Sequence, residues 1–242
     1  SYFDNSPLAS SGLPSKNELE LLNVWKHEIP AEVFTETFTP PITDGSGNDR
    51  KNLLKAKEIL EKEGWFVENG KLVKDGKEFK FEFLIVSPSD EKIALAYQSN
   101  LKKLGITMDV RTVDSSQYQE RLLSYDFDMI KRYWGVSLSP GNEQQFYWGS
   151  EVGQKDGSRN YPGINSPAVD ALIEKLISAT NREELTTAIH ALDRVLLWGH
   201  YVVPLYHSNK DRIAYWDFFE YPDEIPLYGI VIESWWINKD KQ

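Results

Sequence analysis

Residues 79–134 alternate between strand-like and helix-like patterns, and this order predicts an α/β fold with a mainly parallel sheet flanked by helices. Two strands are legible. Phe79 to Val86 sends Phe79, Phe81, Phe83 and Ile85 to one face and Lys80, Glu82, Leu84 and Val86 to the other. Ile106 to Val113 alternates again, with Ile106, Met108 and Val110 together. Helical spacing fills the gaps: Ile93, Tyr97, Leu101 and Leu104 form one stripe, and Tyr118, Leu122 and Tyr125 another. A third strand, Phe127 to Trp134, follows. Connections of this length make right-handed crossovers between parallel strands.

The remaining elements follow in order. Residues 1–15 read as loop, and Ser15 caps a helix from Lys16 to about His27, stopped by Pro30. Residues 35–47 are too rich in Pro, Gly and Thr for regular structure. Asn48 or Asp49 caps a helix reaching Glu63, with Leu53, Ala56 and Leu60 on one stripe and Gly64 at its end. Asn69-Gly70 is a hairpin-turn pair between Trp65–Glu68 and Lys71–Lys74. Ser89 or Asp90 caps the helix that ends at Gly105, and Ser115 or Ser116 starts the next. Gly135, Ser137, Ser139, Pro140 and Gly141 force an irregular loop. Pro167 opens a helix with Val169, Leu172, Ile173, Leu176 and Ile177 on its apolar face. Asn181 and Glu184 make a capping-box-like start to a last helix, closed by Gly199. Two extended pieces, Tyr201–His207 and Arg212–Trp216, precede an aromatic tail with no regular period before Gly229–Ile237.

Composition narrows the function classes. The 242 residues suffice for a sizeable core. A net charge of −10 without a basic stripe argues against nucleic acid, and equally against adhesion to an anionic membrane. No stretch approaches the ~18 apolar residues of a membrane span. With no cysteine, disulfides, thiolate catalysis and cysteine-bound metals are excluded. The opening run SYFDNSPLASSGLPS is polar and turn-rich, not a signal peptide, and reads as a segment entered in mid-protein.

Candidate chemistry points to binding. His27, His190, His200 and His207 have no metal-ligand spacing, and neither a cofactor motif nor a phosphate loop is present. Asp126, Asp128 and Glu143 beside abundant Trp raise a carbohydrate-active hydrolase as an alternative. Solvated turn carboxylates account for Asp126 and Asp128 more simply. What remains is the loop after the third strand, at the strand's carboxyl end, where open α/β sheets hold ligands. Trp134, Tyr147 and Trp148 can wall a ligand there. Ser137, Asn142, Glu143 and Gln144 supply polar anchors, and Gly135 exposes backbone.

Several runs resemble the C-terminal part of bacterial extracellular solute-binding proteins of family 5, the periplasmic oligopeptide receptors of ABC importers. They are NLLKAKEILEKEGW (52–65), LKKLGITMDVRTVD (101–114), YDFDMIKRYWG (125–135), SPAVDALIEKL (166–176) and VVPLYHSNKDRIA (202–214). TDGSGN (43–48) and SLSPGNEQ (137–144) look similar to the subgroup handling microcin C and related peptides. The resemblance implies a two-lobed, periplasmic-binding-protein-like (type II) fold without cofactor, closing on its ligand by hinge motion. Residues 1–200 would be the C-terminal ligand-binding lobe, and 201–242 a segment returning to the first lobe. It also implies a peptide or peptide-like ligand, membrane permease subunits as partners, and a periplasmic location. An Asp three residues after the strand's Trp pairs with the peptide ammonium in many such receptors. Ser137 stands there, so Glu143 is the candidate replacement. Lys131 occupies the position of an Arg that meets the ligand carboxylate in some members. A stand-alone protein-interaction domain derived from the lobe is a further alternative.

Overall fold

A computed structural model describes residues 1–47, 49–135, 137–206, 212–224, 226 and 229–241. The chain forms two compact units, Ser1–Tyr201 and Val202–Gln242. Asn48, one of the two proposed caps, and His207 with the centre of VVPLYHSNKDRIA lie outside the described residues.

The first unit begins with a strap, residues 1–14, and α1 (Lys16–Leu22), which continues as a 3-10 turn to Trp25. The cap is the expected Ser15, in a reciprocal box with Glu18. A short α2 (Glu32–Thr35) interrupts what reads as loop. Asp49 caps α3 (Arg50–Lys62) by accepting from Asn52 N–H at 3.0 Å. Strands β1 (Phe66–Glu68), β2 (Lys71–Lys74) and β3 (Lys77–Glu78) make an antiparallel meander. Both of its turns, Asn69-Gly70 and Asp75-Gly76, have two left-handed residues, as tight hairpins require.

Next come β4 (Lys80–Ile85), α4 (Pro88–Lys102), β5 (Thr107–Thr112), α5 (Ser115–Leu123) and β6 (Met129–Ile130). The sheet order is β5-β4-β6, with both pairings parallel. The alternation of β4 is used on both faces. Phe83 and Ile85 pack with Ala94, Leu101 and Met108 on one side; Leu84 packs with Val113, Tyr118 and Leu122 on the other.

Two details depart from expectation. The caps of α4 and α5 are Ser87 and Asp114, not the later serines or Asp90, because Pro88 takes the first helical position and Asp114 reaches two backbone N–H groups. The third strand shrinks from 127–134 to Met129–Ile130. Before it, the Asp128 carboxylate takes Glu82 N–H at 2.8 Å, so a side chain replaces a ladder bond. Beyond it, the Lys131 carbonyl accepts from the Tyr118 hydroxyl at 3.2 Å. The last helix is closed by Gly199 as expected, with Gly199 right-handed and His200 in the left-handed position (φ 51°).

After β6 come α6 (Glu143–Trp148), a 3-10 turn at Val152–Gln154, α7 (Pro167–Ile177) and α8 (Arg182–Trp198). Buried Asn160 fixes the long connection: its amide donates to Gly149 O and Ile164 O and accepts from Ile164 N–H. The α7 and α8 stripes meet Leu22, Val33, Trp148 and the strap in the largest core. Two adjacent α8 residues hold the strap. Asp193, fully buried, accepts from Tyr2 N–H (2.8 Å), Ser10 N–H (3.0 Å) and Ser10 Oγ (2.6 Å). Arg194 pairs with buried Glu18 at 2.6 Å and donates to the carbonyls of Ser11, Gly12 and Leu13. Burial, and secondarily Asp193, pushes the Tyr2 phenol far above its ordinary pKa.

The second unit contains β7 (Phe219–Glu220) paired antiparallel with β8 (Trp236–Ile237), and 3-10 turns at Ile232–Ser234 and Lys239–Lys241. The described parts of 201–206 and 212–216 form no strand. Tyr215, Tyr221 and Trp235 cluster with centroids 4.9–5.8 Å apart. No described residue of this unit is buried, and Trp216 is 73% exposed. Among the described residues, no helix is long and apolar enough to cross a membrane.

Candidate functional site

The carboxyl ends of β4, β5 and β6 open onto three connections: Val86–Ser87 into α4, Val113–Asp114 into α5, and the irregular run 131–142. Crevices at this edge hold ligands in open parallel sheets. A polar set gathers there. Lys131 forms an ion pair with Asp90 of the first α4 turn, each side chain at most 14% exposed. The bonded Asp90 carboxylate holds the Lys131 ammonium above its ordinary pKa. Tyr118 of α5 donates its hydroxyl to Lys131 O at 3.2 Å, and burial raises its pKa. Arg132 lies against Tyr161, 4.8 Å from the ring centroid, and Nη2 donates to its hydroxyl at 3.1 Å. Arg182, at the start of α8, donates to Leu138 O at 3.0 Å and tethers the loop.

The proposed residues divide into two groups. Gly135, Ser137 and Asn142 are exposed, with open space around the Gly135 α-carbon. Ser137 Oγ accepts from Ser139 N–H at 2.9 Å. Glu143, half-buried in the first turn of α6, accepts from Gly141 N–H with both oxygens at 3.0 Å. Its carboxylate has no cationic partner among the described residues within salt-bridge distance.

The aromatic group is packed. Trp148 is 2% exposed; its ring meets Tyr2 at 5.0 Å and Trp134 at 5.3 Å, and its Nε1 donates to buried Gln144 at 3.0 Å. Trp148 is therefore a core residue of the helical layer, and Gln144 is its internal acceptor. Tyr147 is half-buried against the same core. Trp134 is half-buried, and its indole N–H has no acceptor among the described residues. Lys131 is committed to Asp90. Two exposed aromatics do border the loop: Tyr133, 76% exposed with Lys131 Nζ 5.4 Å from its ring centre, and Phe146, 53% exposed. The i, i+2 spacing of Lys131 with Tyr133 and Arg132 with Trp134 was the available signal that two faces alternate here. Among the described residues, no cluster of three or more His, Asp or Glu side chains could hold a metal.

The sequence pattern of bacterial extracellular solute-binding proteins, family 5 (the Middle region), matches residues 24–156, more than half the chain. The chain belongs to this family. Similar proteins include an uncharacterized protein of Sinorhizobium fredii, 49% identical over 98% of this chain and 36% of its own length. "Probable peptide-binding protein YejA" of Agrobacterium fabrum is 43% identical over 99% of this chain and 39% of its own. The chain thus spans well under half the length of the curated relatives it matches. Among solved structures, the oligopeptide-binding protein AppA of Bacillus subtilis, bound to a nonapeptide, superposes with a TM-score of 0.57. It is 23% identical, covering 76% of this chain and 38% of its own, so it supports the fold: the partial lobe of a type II periplasmic-binding architecture. Some relatives carry names of binding proteins, such as a putative binding protein of Brucella suis, 45% identical over 98% of this chain and 39% of its own length.

Proposed function

We propose that this chain is the C-terminal portion of a periplasmic receptor that captures peptides or peptide-like compounds and delivers them to the membrane permease of an ABC importer. The observation that carries this reading is the run 131–142. It leaves the carboxyl edge of a parallel sheet with exposed backbone, Ser137, Asn142 and Tyr133, in a chain of a solute-binding family. The naming of the Agrobacterium relative supports a peptide as the solute. In this reading residues 201–242, most of which form the second unit, are a return segment to the first lobe of a full-length receptor. The second unit's lack of any buried described residue supports that role, because a stable unit needs a core.

Glu143 is assigned the peptide ammonium. Its carboxylate is preorganised by Gly141 N–H and carries a charge that Ser137 cannot supply. In the full-length receptor, Glu143→Gln keeps an acceptor for Gly141 and removes the charge. Peptide affinity should fall about tenfold or more, the scale of a lost charge-assisted hydrogen bond. Equal affinity of the two proteins in a calorimetric titration would sink this role.

A second expectation concerns the chain alone. Small-ligand sites enclose ~70–90% of ligand surface, and one lobe covers about half of that. The isolated chain should bind peptide far more weakly than the complete receptor. Sub-micromolar peptide affinity of the chain by itself contradicts the two-lobe reading.

A further inference from the structure

We infer that Asp90 is a positioning residue for ligand binding: through its ion pair with Lys131 it fixes the run that receives the ligand, and Lys131 serves this pair rather than the ligand. The inference rests on the peptide-receptor reading above and adds to it how the loop of that site is held.

The sheet ladder stops too early to hold the loop. β6 pairs with β4 through Met129 and Ile130, whereas β4 and β5 run on together to Ile85 and Thr112. After Ile130 the chain must be directed by other contacts. Lys131, the first residue past the ladder, is tied to both neighbouring helices. Its ammonium pairs with the Asp90 carboxylate in the first turn of α4, and its carbonyl accepts from the Tyr118 hydroxyl of α5 at 3.2 Å. Further along, Arg132 rests on the Tyr161 ring, and Arg182 holds Leu138 O at 3.0 Å. Among these tethers, the Asp90–Lys131 contact is the one between opposite charges.

Burial decides what Lys131 can do. Each side chain of the pair is at most 14% exposed, so both charges are largely removed from water. Separating them would leave a charge buried without a partner, which is strongly unfavourable. Asp90 is also favoured where it stands, because the N–H groups at the start of α4 attract negative charge. The Lys131 ammonium is therefore neutralised in place, and would have to give up Asp90 to reach a ligand. Two residues on, Tyr133 is 76% exposed, with its ring centre 5.4 Å from Lys131 Nζ. The pair thus steadies the part of the loop that faces solvent. Without it, the residues between β6 and the Arg182 tether would be freer, and ligand binding would carry the entropy of ordering them.

The two members of the pair are not equivalent. Removing the Asp90 charge strands the ammonium, which escapes by swinging outward and drawing the run with it. Removing the lysine leaves a carboxylate that the helix start still stabilises. The Asp90 change should therefore be the more damaging. A lysine that met the ligand would give the opposite order, since loss of Asp90 would release its ammonium to the ligand.

Full-length receptor is loaded with a randomised pool of short peptides with free C-termini, and separately with the same pool amidated. Retained peptide is quantified by mass spectrometry for wild type, Asp90→Asn, Lys131→Met and the double variant. Circular dichroism at the loading temperature checks that each is folded.

Asp90→Asn should retain about tenfold less of both pools, and Lys131→Met only a few-fold less of both. The double variant should retain at least as much as Asp90→Asn, because the two residues act as one unit. A loss in Lys131→Met confined to the free pool overturns the inference, since the ammonium would then meet the ligand carboxylate. So does a gain of the free pool in Asp90→Asn. Unchanged retention in Asp90→Asn, or losses that multiply in the double variant, overturn it too. An unfolded Asp90→Asn also overturns it, because Asp90 would then be a residue of the fold alone. A wild type that retains neither pool removes the peptide reading itself.

Discussion

Replacing Asp193 with alanine should destabilise the first unit by about 3–5 kcal/mol. Three donors converge on this carboxylate: Tyr2 N–H, Ser10 N–H and Ser10 Oγ, at 2.6–3.0 Å. Asp193 is fully buried, so no water takes over at its oxygens. Each donor left unpaired costs on the order of 1–3 kcal/mol, reduced where the strap relaxes into solvent. Asp193→Asn keeps one carbonyl oxygen and should cost about half as much. The natural probe is tryptophan fluorescence during urea unfolding, because Trp148 packs edge-to-face on Tyr2 at 5.0 Å and reports directly on the strap. An Asp193→Ala midpoint corresponding to less than about 1 kcal/mol would mean the strap is held by its apolar contacts, Phe3 and Leu8, rather than by this carboxylate.

Gly105→Ala should cost about 2–4 kcal/mol for a different reason. Gly105 sits at φ +78°, where a side chain meets the following carbonyl and costs ~1–2 kcal/mol. An added Cβ would also lie 2.8 Å from Leu72 N and 3.1 Å from Lys71 C, both backbone atoms that cannot rotate away. Leu72 N–H donates to Gly105 O at 2.7 Å, so any displacement also breaks the bond joining the meander to the end of α4. Gly135→Ala is the matching control. It has open space around it, and its effect on stability should stay within about 0.5 kcal/mol. Equal unfolding midpoints for the two variants would refute the account of Gly105.

Local pattern and distant partnership explain what could be read from the chain. The faces of β4, the Asn69-Gly70 turn and the Ser15, Asp49 and Asn181 caps depend on neighbours within a few residues, and each stands as its pattern requires. Trp148 could not be placed that way. Its burial depends on Tyr2, far upstream, and a run of three aromatics hides the periodicity of the six-residue α6. Lys131 looked available because its partner, Asp90, lies 41 residues earlier on another element. The third strand is shorter than its pattern implies for a related reason: Phe127 to Trp134 has strand-like residues throughout, but ahead of Met129 the Asp128 carboxylate takes the Glu82 N–H. At the candidate site, exposed Ser137 and Asn142 were legible as loop polar groups.

The strap also bears on how the chain folds. The sheet crossovers and the α7–α8 pair join neighbours in sequence, so they assemble with short loop closures and little delay. Ser10 and Asp193 are 183 residues apart, and closing a loop of that size costs on the order of 4–5 kcal/mol of chain entropy. Docking of residues 1–13 is therefore a late event that waits for α8 to leave the ribosome. Until then Leu8, Phe3 and the apolar stripe of α8 stay uncovered. Mutations at Asp193 should accordingly speed unfolding more than they slow folding, leaving this end of the unit as the first to open.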